Sequence, residues 1–307
     1  MNQFACEVRA GLANPQKELP SKYLYDDLGS ALFEAITNLP EYGLTRADAR
    51  LLHRLAPQLP RDFSIVAEFG SGAGLKTRPV LAGLAPKTYF PIDVSPAALE
   101  RCRRELDGLA AIQPIEASYL DGLDCVNRRR GGCSTGRGSM LILFLGSSIG
   151  NFDSPCREVF LRQVRARMKS GDALLIGFDL VKDLDRMLDA YDDPTGVTAA
   201  FNLNLLGRIN RALAADFDVR AFAHRAIYNS SERRIEMHLR SRVDQVVTVA
   251  EADFQAHFRA DETIWTESSH KFDAAELPEI ARANGYQPQA QWLDEQWSFA
   301  ENLWLAP

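Results

Sequence analysis

The strongest constraint on the fold is an alternation of short apolar runs with helical segments between residues 60 and 180. The apolar runs predict strands at 65–69, 88–93, 112–117, 140–145 and 173–180. The segments between them have apolar residues at helical spacing and predict helices at 76–84, 96–109 and 155–168. Because strands connected through helices pair in parallel, this part of the chain is expected to form an α/β domain built on a parallel sheet.

The alternation ends near residue 180, and a different pattern follows. Helical spacing appears at 184–191 and 197–213, a hairpin is indicated by 224–229 and 234–243, and a further strand-like alternation occupies 246–258. The end of the chain returns to the first pattern, with a helix at 274–283 and antiparallel strands at 287–293 and 299–305. The sequence therefore predicts an α/β domain at 1–180 plus 272–307, and an inserted α+β domain at 181–271.

A glycine-rich turn lies where the first strand of the α/β pattern meets the first helix. Its sequence is Glu68-Phe69-Gly70-Ser71-Gly72-Ala73-Gly74. Glycine allows a sharp turn and close approach of a ligand to the main chain, and the helix N-terminus directs N–H groups at it. A dinucleotide fingerprint needs glycine at position 75, where this chain has Leu75. The E-x-G-x-G-x-G pattern is instead typical of proteins that bind S-adenosylmethionine, so a nicotinamide oxidoreductase is disfavoured.

Asp93 ends the next predicted strand, 19 residues after Gly74. A carboxylate at the end of a strand in this position can accept hydrogen bonds from ribose hydroxyls. The alternative is that Asp93 caps the helix that begins near Pro96. Its place at the end of the strand favours ribose binding, and together with the glycine turn it predicts a nucleotide-like ligand.

Several longer motifs point to one family. They are the segments 22–26, 39–42, 144–151, 190–193 and 266–272. Over about residues 8 to 305, the sequence resembles the family of histidine-specific, S-adenosylmethionine-dependent methyltransferases. This resemblance implies a class I Rossmann-like methyltransferase domain with an inserted substrate-binding domain. It also implies up to three methyl transfers to the α-amine of L-histidine, giving the trimethylated product hercynine for ergothioneine biosynthesis.

The resemblance implies a set of residues that hold the methyl donor. They are Gly70, Gly72, Lys76, Asp93, Ser118 and Tyr119. The sequence departs from the family at Ser118, where an aspartate is usual, so a hydroxyl replaces a stronger acceptor for the adenine amino group. A second departure is Gly43, where the family often has a tyrosine.

The resemblance also implies residues for the amino-acid acceptor. Asn151 and Tyr191 would bind the carboxylate without adding a permanent positive charge, and the Gly146 backbone would lie near the amine. Glu267 and Ser269 would pair with the imidazole. The remaining assignments are Phe33 and Tyr42 against the ring, Met237 in the pocket, and Tyr25 in amine positioning or proton relay.

Each of these acceptor residues also has a purely structural alternative. Asn151 could cap the helix near Asp153, and Tyr191 could pack at a helix end. Glu267 could be a solvated strand carboxylate, and Met237 could belong to the core. The same chemistry on another amino acid, such as tryptophan or tyrosine, and a donor-binding protein without turnover remain open.

The composition and charge of the chain limit the classes of partner that it is expected to bind. A formal net charge of -6 disfavours nucleic-acid binding. The sequence contains no stretch of 18 apolar residues and no signal peptide, so a membrane-spanning segment is not expected. Five cysteines without a C-x-x-C pair and five scattered histidines predict neither disulfides nor a metal site. The Arg/Gly-rich segment 128–138 is interpreted as a solvated loop with no assigned role. We expect a cytoplasmic monomer that acts on small molecules.

Overall fold

A computed structural model describes residues 2–131 and 139–307 of the chain. These residues form two compact units, which we call the α/β unit and the α+β unit. The α/β unit consists of Leu44–Val181 and Phe272–Pro307, and the α+β unit consists of the segment ending at Gly43 and Lys182–Lys271.

The α-helices are α1 (Gln3–Ala13), α2 (Asp27–Ile36), α3 (Leu44–Leu55), α4 (Arg78–Leu84), α5 (Pro96–Glu105), α6 (Tyr119–Gly131), α7 (Ser154–Ala166), α8 (Leu184–Asp189), α9 (Val197–Leu213) and α10 (Leu277–Ala283). The strands are β1 (Lys17–Glu18), β2 (Phe63–Phe69), β3 (Thr88–Asp93), β4 (Ala111–Ile112), β5 (Ile115–Glu116), β6 (Ser139–Phe144), β7 (Ala173–Asp179), β8 (Phe222–Asn229), β9 (Arg234–Ser241), β10 (Gln245–Val249), β11 (Phe254–Phe258), β12 (Thr263–His270), β13 (Gln287–Asp294) and β14 (Phe299–Leu305). Short 3₁₀ helices span Ser21–Leu24, Ala56–Gln58, Leu75–Thr77, Ser148–Asn151, Val219–Ala221 and Ala250–Ala252.

The α/β unit is built on one sheet with the strand order β13-β14-β7-β6-β2-β3-β4, and β5 also pairs with β3. The strands from β2 to β7 pair in parallel, while β14 is antiparallel to both β7 and β13. The predicted parallel strands and the antiparallel final pair are thereby confirmed, and the sheet has the expected Rossmann-like order. The predicted strand at 112–117 is divided into β4 and β5 around Pro114, which has no N–H to donate to a ladder.

Helix α6 corrects the interpretation of segment 128–138 as a solvated loop. Residues 128–131 are the last turn of this helix, while 132–138 lie outside the described residues. The side chain of Arg130 is 6% exposed and makes two hydrogen bonds of 2.7 Å to the buried carboxylate of Asp172. Basic residues are favourable at a helix C-terminus, and this buried ion pair holds the last turn against the sheet.

The α+β unit contains a sheet with the order β1-β12-β9-β8 and a separate β10–β11 hairpin. The predicted hairpin of β8 and β9 is confirmed. The predicted alternation at 246–258 is in fact two antiparallel strands, because a 3₁₀ helix at Ala250–Ala252 reverses the chain. Strand β12, which carries the predicted imidazole-binding residues, was not among the predicted strands.

The segment ending at Gly43 groups with the α+β unit, whereas the sequence assigned it to the α/β domain. The reason is long-range pairing, since β1 joins the edge of β12 and α2 packs on α9. The first part of the α/β unit ends at Val181, and its second part begins at Phe272.

Candidate active site

The glycine turn of the α/β unit exposes backbone at the carboxyl end of β2. Gly70, Gly72 and Gly74 have φ angles of 62°, 52° and 71°, in the left-handed region that favours glycine. The Gly70 N–H donates to the Ile92 carbonyl oxygen at 2.8 Å, which holds the turn over the end of β3. A Cβ on Gly74 would lie 2.6 Å from the Leu106 side chain, whereas one on Gly72 would meet nothing within 4 Å. Packing therefore requires glycine at Gly74, and the main chain at Gly72 is open to a ligand.

Glu68 supports this turn from inside the unit. Its buried carboxylate accepts hydrogen bonds from the Thr77 hydroxyl, 2.7 Å from each oxygen, and from the Tyr89 hydroxyl. Burial raises the pKa of Glu68 to about 7, although the hydrogen bonds from Tyr89 and Thr77 act to lower it. The carboxylate thus joins the end of β2 to β3 and to the beginning of α4.

Asp93 is held against the glycine turn. One carboxylate oxygen accepts from the Gly72 N–H at 3.0 Å and the other from the Ser95 N–H at 3.0 Å. The cap of α5 is Ser95, whose hydroxyl oxygen accepts from the Ala98 N–H. The alternative of Asp93 as the helix cap is therefore wrong, and its half-buried carboxylate stays beside the exposed turn.

Tyr119 and Ser118 lie at the start of α6. A Cβ on Gly70 would be 3.4 Å from the Tyr119 hydroxyl, and the Tyr119 ring packs against Phe69 and Phe144. Burial raises the pKa of Tyr119 to about 12, so the phenol is neutral. The Ser118 hydroxyl donates to Asp121 at 2.6 Å, which leaves the Ser118 oxygen as a hydrogen-bond acceptor.

Lys76 belongs to a charged cluster in the same unit. Its Nζ atom lies 2.8 Å from Asp48 Oδ2 and would be 2.9 Å from a Cβ on Gly146. The side chains of Asp48 and Glu301 are both fully buried. Burial, followed by the negative charge of Asp48, raises the pKa of Glu301 well above its ordinary value. A proton on Glu301 can then be shared with Asp48, which reduces the repulsion between the two buried carboxyl groups.

Gly146 and Asn151 follow β6 in the α/β unit. Gly146 and Ser147 have φ angles of 72° and 59°, and the Ser147 hydroxyl oxygen accepts from the Asp179 N–H at 2.9 Å. Asn151 ends the next 3₁₀ helix and is exposed. The cap of α7 is Asp153, so the alternative role of Asn151 as that cap is wrong.

In the α+β unit, the structure brings the predicted aromatic residues together. The ring of Phe33 lies 5.5 Å from that of Tyr25 and 6.3 Å from that of Tyr42, measured between centroids. Tyr42 continues the cluster to Tyr191 at 6.0 Å. Phe201 of α9, which the sequence analysis missed, lies 5.5 Å from Tyr25 and 6.0 Å from Phe33. These rings form an apolar wall with hydroxyl groups at its edge.

Glu267 and Met237 face each other on β12 and β9. They are directly paired in the register, and a bulge at Thr266 sets this alignment. Burial raises the pKa of Glu267 to about 7, although the Tyr25 hydroxyl, 3.5 Å from Oε1, and the charge of Lys271 act to lower it. Glu267 is half-buried and contacts the Tyr25 hydroxyl, so it is not a fully solvated carboxylate.

Ser269, Tyr191 and Lys271 form a closed triangle of hydrogen bonds in the α+β unit. The Lys271 Nζ atom lies 2.7 Å from Ser269 Oγ and 2.8 Å from Tyr191 Oη, and the two oxygens are 2.7 Å apart. All three residues are buried. The sequence analysis chose Asn151 and Tyr191 because neither side chain carries a permanent positive charge, and it did not anticipate the Lys271 amine that contacts the Tyr191 hydroxyl.

The two residues that the sequence analysis missed, Lys271 and Phe201, differ in whether the sequence could have identified them. Lys271 lies inside the quoted motif 266–272, so its side chain was a candidate that was not considered. Phe201 has apolar spacing within α9 and cannot be distinguished by sequence from a core residue.

Within residues 2–131 and 139–307, no group of three or more His, Cys, Asp or Glu side chains is arranged to hold a metal ion. Within the same ranges, none of the helices has the length and apolar character needed to span a bilayer.

Comparisons with known proteins agree on one family. The model of the family described as "Histidine-specific methyltransferase, SAM-dependent" matches residues 4–306. The chain is 39% identical to the Histidine N-alpha-methyltransferase of Mycolicibacterium smegmatis, over 97% of this chain and 93% of that protein. The protein of the same name from Mycobacterium tuberculosis gives the same identity and coverage. Ergothioneine biosynthesis protein 1 of Schizosaccharomyces pombe is 30% identical over 86% of this chain and 35% of its own length.

Proposed function

Because this chain belongs to the family of histidine-specific, S-adenosylmethionine-dependent methyltransferases, we propose that it methylates the α-amine of L-histidine. Three successive transfers would give the trimethylated betaine hercynine, for ergothioneine biosynthesis. The observation that carries the proposal is the 39% identity to two histidine N-alpha-methyltransferases over nearly the whole chain. We further propose that the enzyme acts as a monomer in the cytoplasm, since both reactants are small molecules and one chain supplies all the assigned residues.

The α/β unit supplies groups that fit the methyl donor. The open main chain at Gly72, together with the neighbouring Gly70, would receive the donor, and Asp93 would accept from the ribose hydroxyls. Tyr119 would pack against the adenine, and the Ser118 oxygen would accept from its amino group. Lys76 would bind the carboxylate of the donor. When bound, the donor supplies a methyl group carried on a sulfonium sulfur. After the transfer, that sulfur is part of a neutral thioether, which is the leaving group.

The α+β unit supplies most of the groups that fit histidine. Glu267 would accept from one imidazole nitrogen and Ser269 would pair with the other, while Phe33, Tyr42 and Met237 would surround the ring. Tyr191 would bind the carboxylate of histidine. In the α/β unit, the resemblance assigns Asn151 to the carboxylate and the Gly146 backbone to the amine. A pocket that pairs both ring nitrogens disfavours tryptophan and tyrosine, because unpaired buried polar groups cost about 1 to 3 kcal/mol each.

The chemistry requires an unprotonated amine aligned with the methyl carbon, so most of the acceleration comes from positioning. Each transfer consumes the amine lone pair, and the amine must lose a proton before that step. Tyr25 donates to Glu267, whose pKa of about 7 allows it to take up a proton near neutrality. We assign Tyr25 to amine positioning or to this relay. Tyrosine faces would also hold the final quaternary cation.

The test is mass spectrometry of products from S-adenosylmethionine and an equimolar mixture of the twenty amino acids. We expect histidine alone to gain three methyl groups. The matched control is Asp93→Ala, which should lose donor binding in calorimetry and all turnover. Methylation of tryptophan or tyrosine would overturn the acceptor assignment and leave the donor site standing. Donor binding without any product would overturn the proposed activity.

A further inference from the structure

We propose that Lys271 is a specificity-determining residue that selects acceptors carrying a carboxylate. The inference rests on the proposed function, because it concerns the acceptor pocket of that reaction. Lys271 would act through Tyr191 and Ser269, and we therefore describe it as a positioning residue. The proposal goes beyond the family resemblance, which assigned roles to these two hydroxyls and none to the lysine.

The geometry makes Lys271 the centre of the pocket's polar end. Its side chain belongs to a residue that is 2% exposed, and Nζ lies within 2.8 Å of both hydroxyl oxygens. An ammonium can only donate, so both oxygens accept from it. The 2.7 Å bond between Tyr191 and Ser269 uses one hydroxyl proton, and the other must point out of the triangle. Lys271 thus sets the direction in which this pair donates.

The charge of Lys271 adds a preference for an anionic group over a neutral one at this position. Its Nζ atom also lies 4.5 Å from the centroid of the Tyr191 ring, so the cation and the phenol form one rigid group. An anion that accepts from this group is attracted by a cation in a medium of low dielectric constant. Glu267, whose pKa is raised to about 7 by burial, carries only part of a negative charge at neutral pH. An incoming carboxylate is therefore favoured over a neutral or absent group at that position.

The consequence is a preference for amino acids over the corresponding amines. Histamine keeps the imidazole and the primary amine of histidine and lacks only the carboxylate. The wild-type enzyme should favour histidine over histamine in kcat/KM. Lys271→Met, which keeps the length of the side chain without its charge, should lower that ratio by roughly 10- to 100-fold, the range of a charge-assisted hydrogen bond. The loss should appear mainly in the KM for histidine, with kcat changed only a few-fold.

The experiment measures the histidine-to-histamine ratio for the wild type, Lys271→Met and Lys271→Gln, with the binding of S-adenosylhomocysteine as a check on the donor site. Glutamine retains a donor and removes the charge, so the ratio should fall in both variants, and either one that folds decides the question. Lys22→Met is the matched control, because that lysine of the same unit has a side chain 53% exposed. Its ratio should equal that of the wild type.

An unchanged ratio in a folded Lys271 variant would overturn the inference, since a merely structural lysine would affect both substrates equally. Failure of the proposed function has a different signature. In that case the wild-type protein would methylate neither compound, or would prefer an amino acid without an imidazole. The comparison would then be repeated with that amino acid and its decarboxylated amine.

Discussion

Among single residues, Glu267 is expected to couple the pH dependence of the proposed acceptor pocket to a neighbouring tyrosine, Tyr25. Burial raises its pKa to about 7, and the hydroxyl of Tyr25 opposes that shift by donating to the carboxylate. The ionised carboxylate accepts from an imidazole N–H more strongly than the protonated acid does. The pocket should therefore bind histidine less well as the pH falls through 7.

Tyr25→Phe should move this acid limb to higher pH. Removing the hydrogen bond removes a stabilisation of the carboxylate, so the pKa of Glu267 rises further, by roughly 0.5 to 1 pH unit for a bond of ordinary strength. The measurement is the pH profile of kcat/KM for histidine in both enzymes. Titration of the free substrate is common to both, and the difference isolates Glu267. Superimposable profiles would contradict the coupling, and an unchanged kcat would exclude Tyr25 from proton transfer.

Individual residues also show which parts of the candidate site could be predicted from the sequence and which could not. Glu267 and Ser269 were identified because their types suit an imidazole and their motif resembles a family. Lys271 was missed although it lies in the same motif, because its role depends on two hydroxyls that meet it only in the folded unit. Glu301 gave no signal either, since a glutamate on a strand reveals its protonation only through burial beside Asp48.

Among the elements, α9 depends on an aspartate that the motif 190–193 contains. Asp193 accepts from the N–H groups of Val197 at 3.1 Å and Thr198 at 2.7 Å, and from the Thr195 hydroxyl. Burial alone would raise its pKa, but these hydrogen bonds outweigh it and lower the pKa to about 2. The motif thus combines a proposed pocket residue, Tyr191, with a carboxylate that accepts from first-turn N–H groups of α9, whose N-cap position is Gly196.

Asp193→Ala should lower the free energy of unfolding by about 1 to 2 kcal/mol at pH 7, the usual cost of a lost cap. The loss should shrink as the pH falls toward 2, because the native carboxylate is then protonated too. Chemical denaturation gives the values, with the exposed neighbour Asp192→Ala as the matched control at under about 0.5 kcal/mol. An equal effect of the two substitutions would contradict the capping role.

The elements that the sequence missed share a physical cause. Helix α6 has an arginine-rich end that resembles a solvated loop until Arg130 meets the buried Asp172. Strand β12 contains Thr266-Glu267-Ser268-Ser269, a run of polar residues that lacks the apolar alternation by which a strand is predicted. Local periodicity identifies elements whose apolar face is regular, and it fails where polar groups are satisfied by distant partners.

At the scale of the whole molecule, the chain leaves and re-enters the α+β unit. The change of sequence pattern near residue 180 predicted an inserted domain at 181–271, and Lys182–Lys271 forms part of the α+β unit. It did not reveal that the segment ending at Gly43 belongs to the same unit. That membership rests on pairing of β1 with β12, which are separated by more than two hundred residues. Only the folded chain brings such segments together.

Global stability should depend on pH through the buried carboxyl groups, and Glu68 offers the clearest case. In the unfolded chain this group ionises near pH 4.5, and in the folded protein near 7. Between these values the folded state binds the extra proton, so this group's contribution to stability falls as the pH rises and stays low above 7. A shift of this size corresponds to at most about 3 kcal/mol.

Glu68→Gln cannot ionise and preserves hydrogen-bonding atoms for Thr77 and Tyr89. The difference in free energy of unfolding between the variant and the wild type should therefore shift in favour of the variant by up to about 3 kcal/mol from pH 5 to pH 8. This shift does not depend on the cost of the substitution itself. Guanidinium unfolding at the two pH values measures this double difference. Glu105→Gln, at an exposed position of α5, is the matched control and should show none. A double difference near zero would mean that Glu68 is already ionised in the folded protein at pH 5. In that case the hydrogen bonds from Thr77 and Tyr89 would stabilise the buried carboxylate at least as much as burial destabilises it.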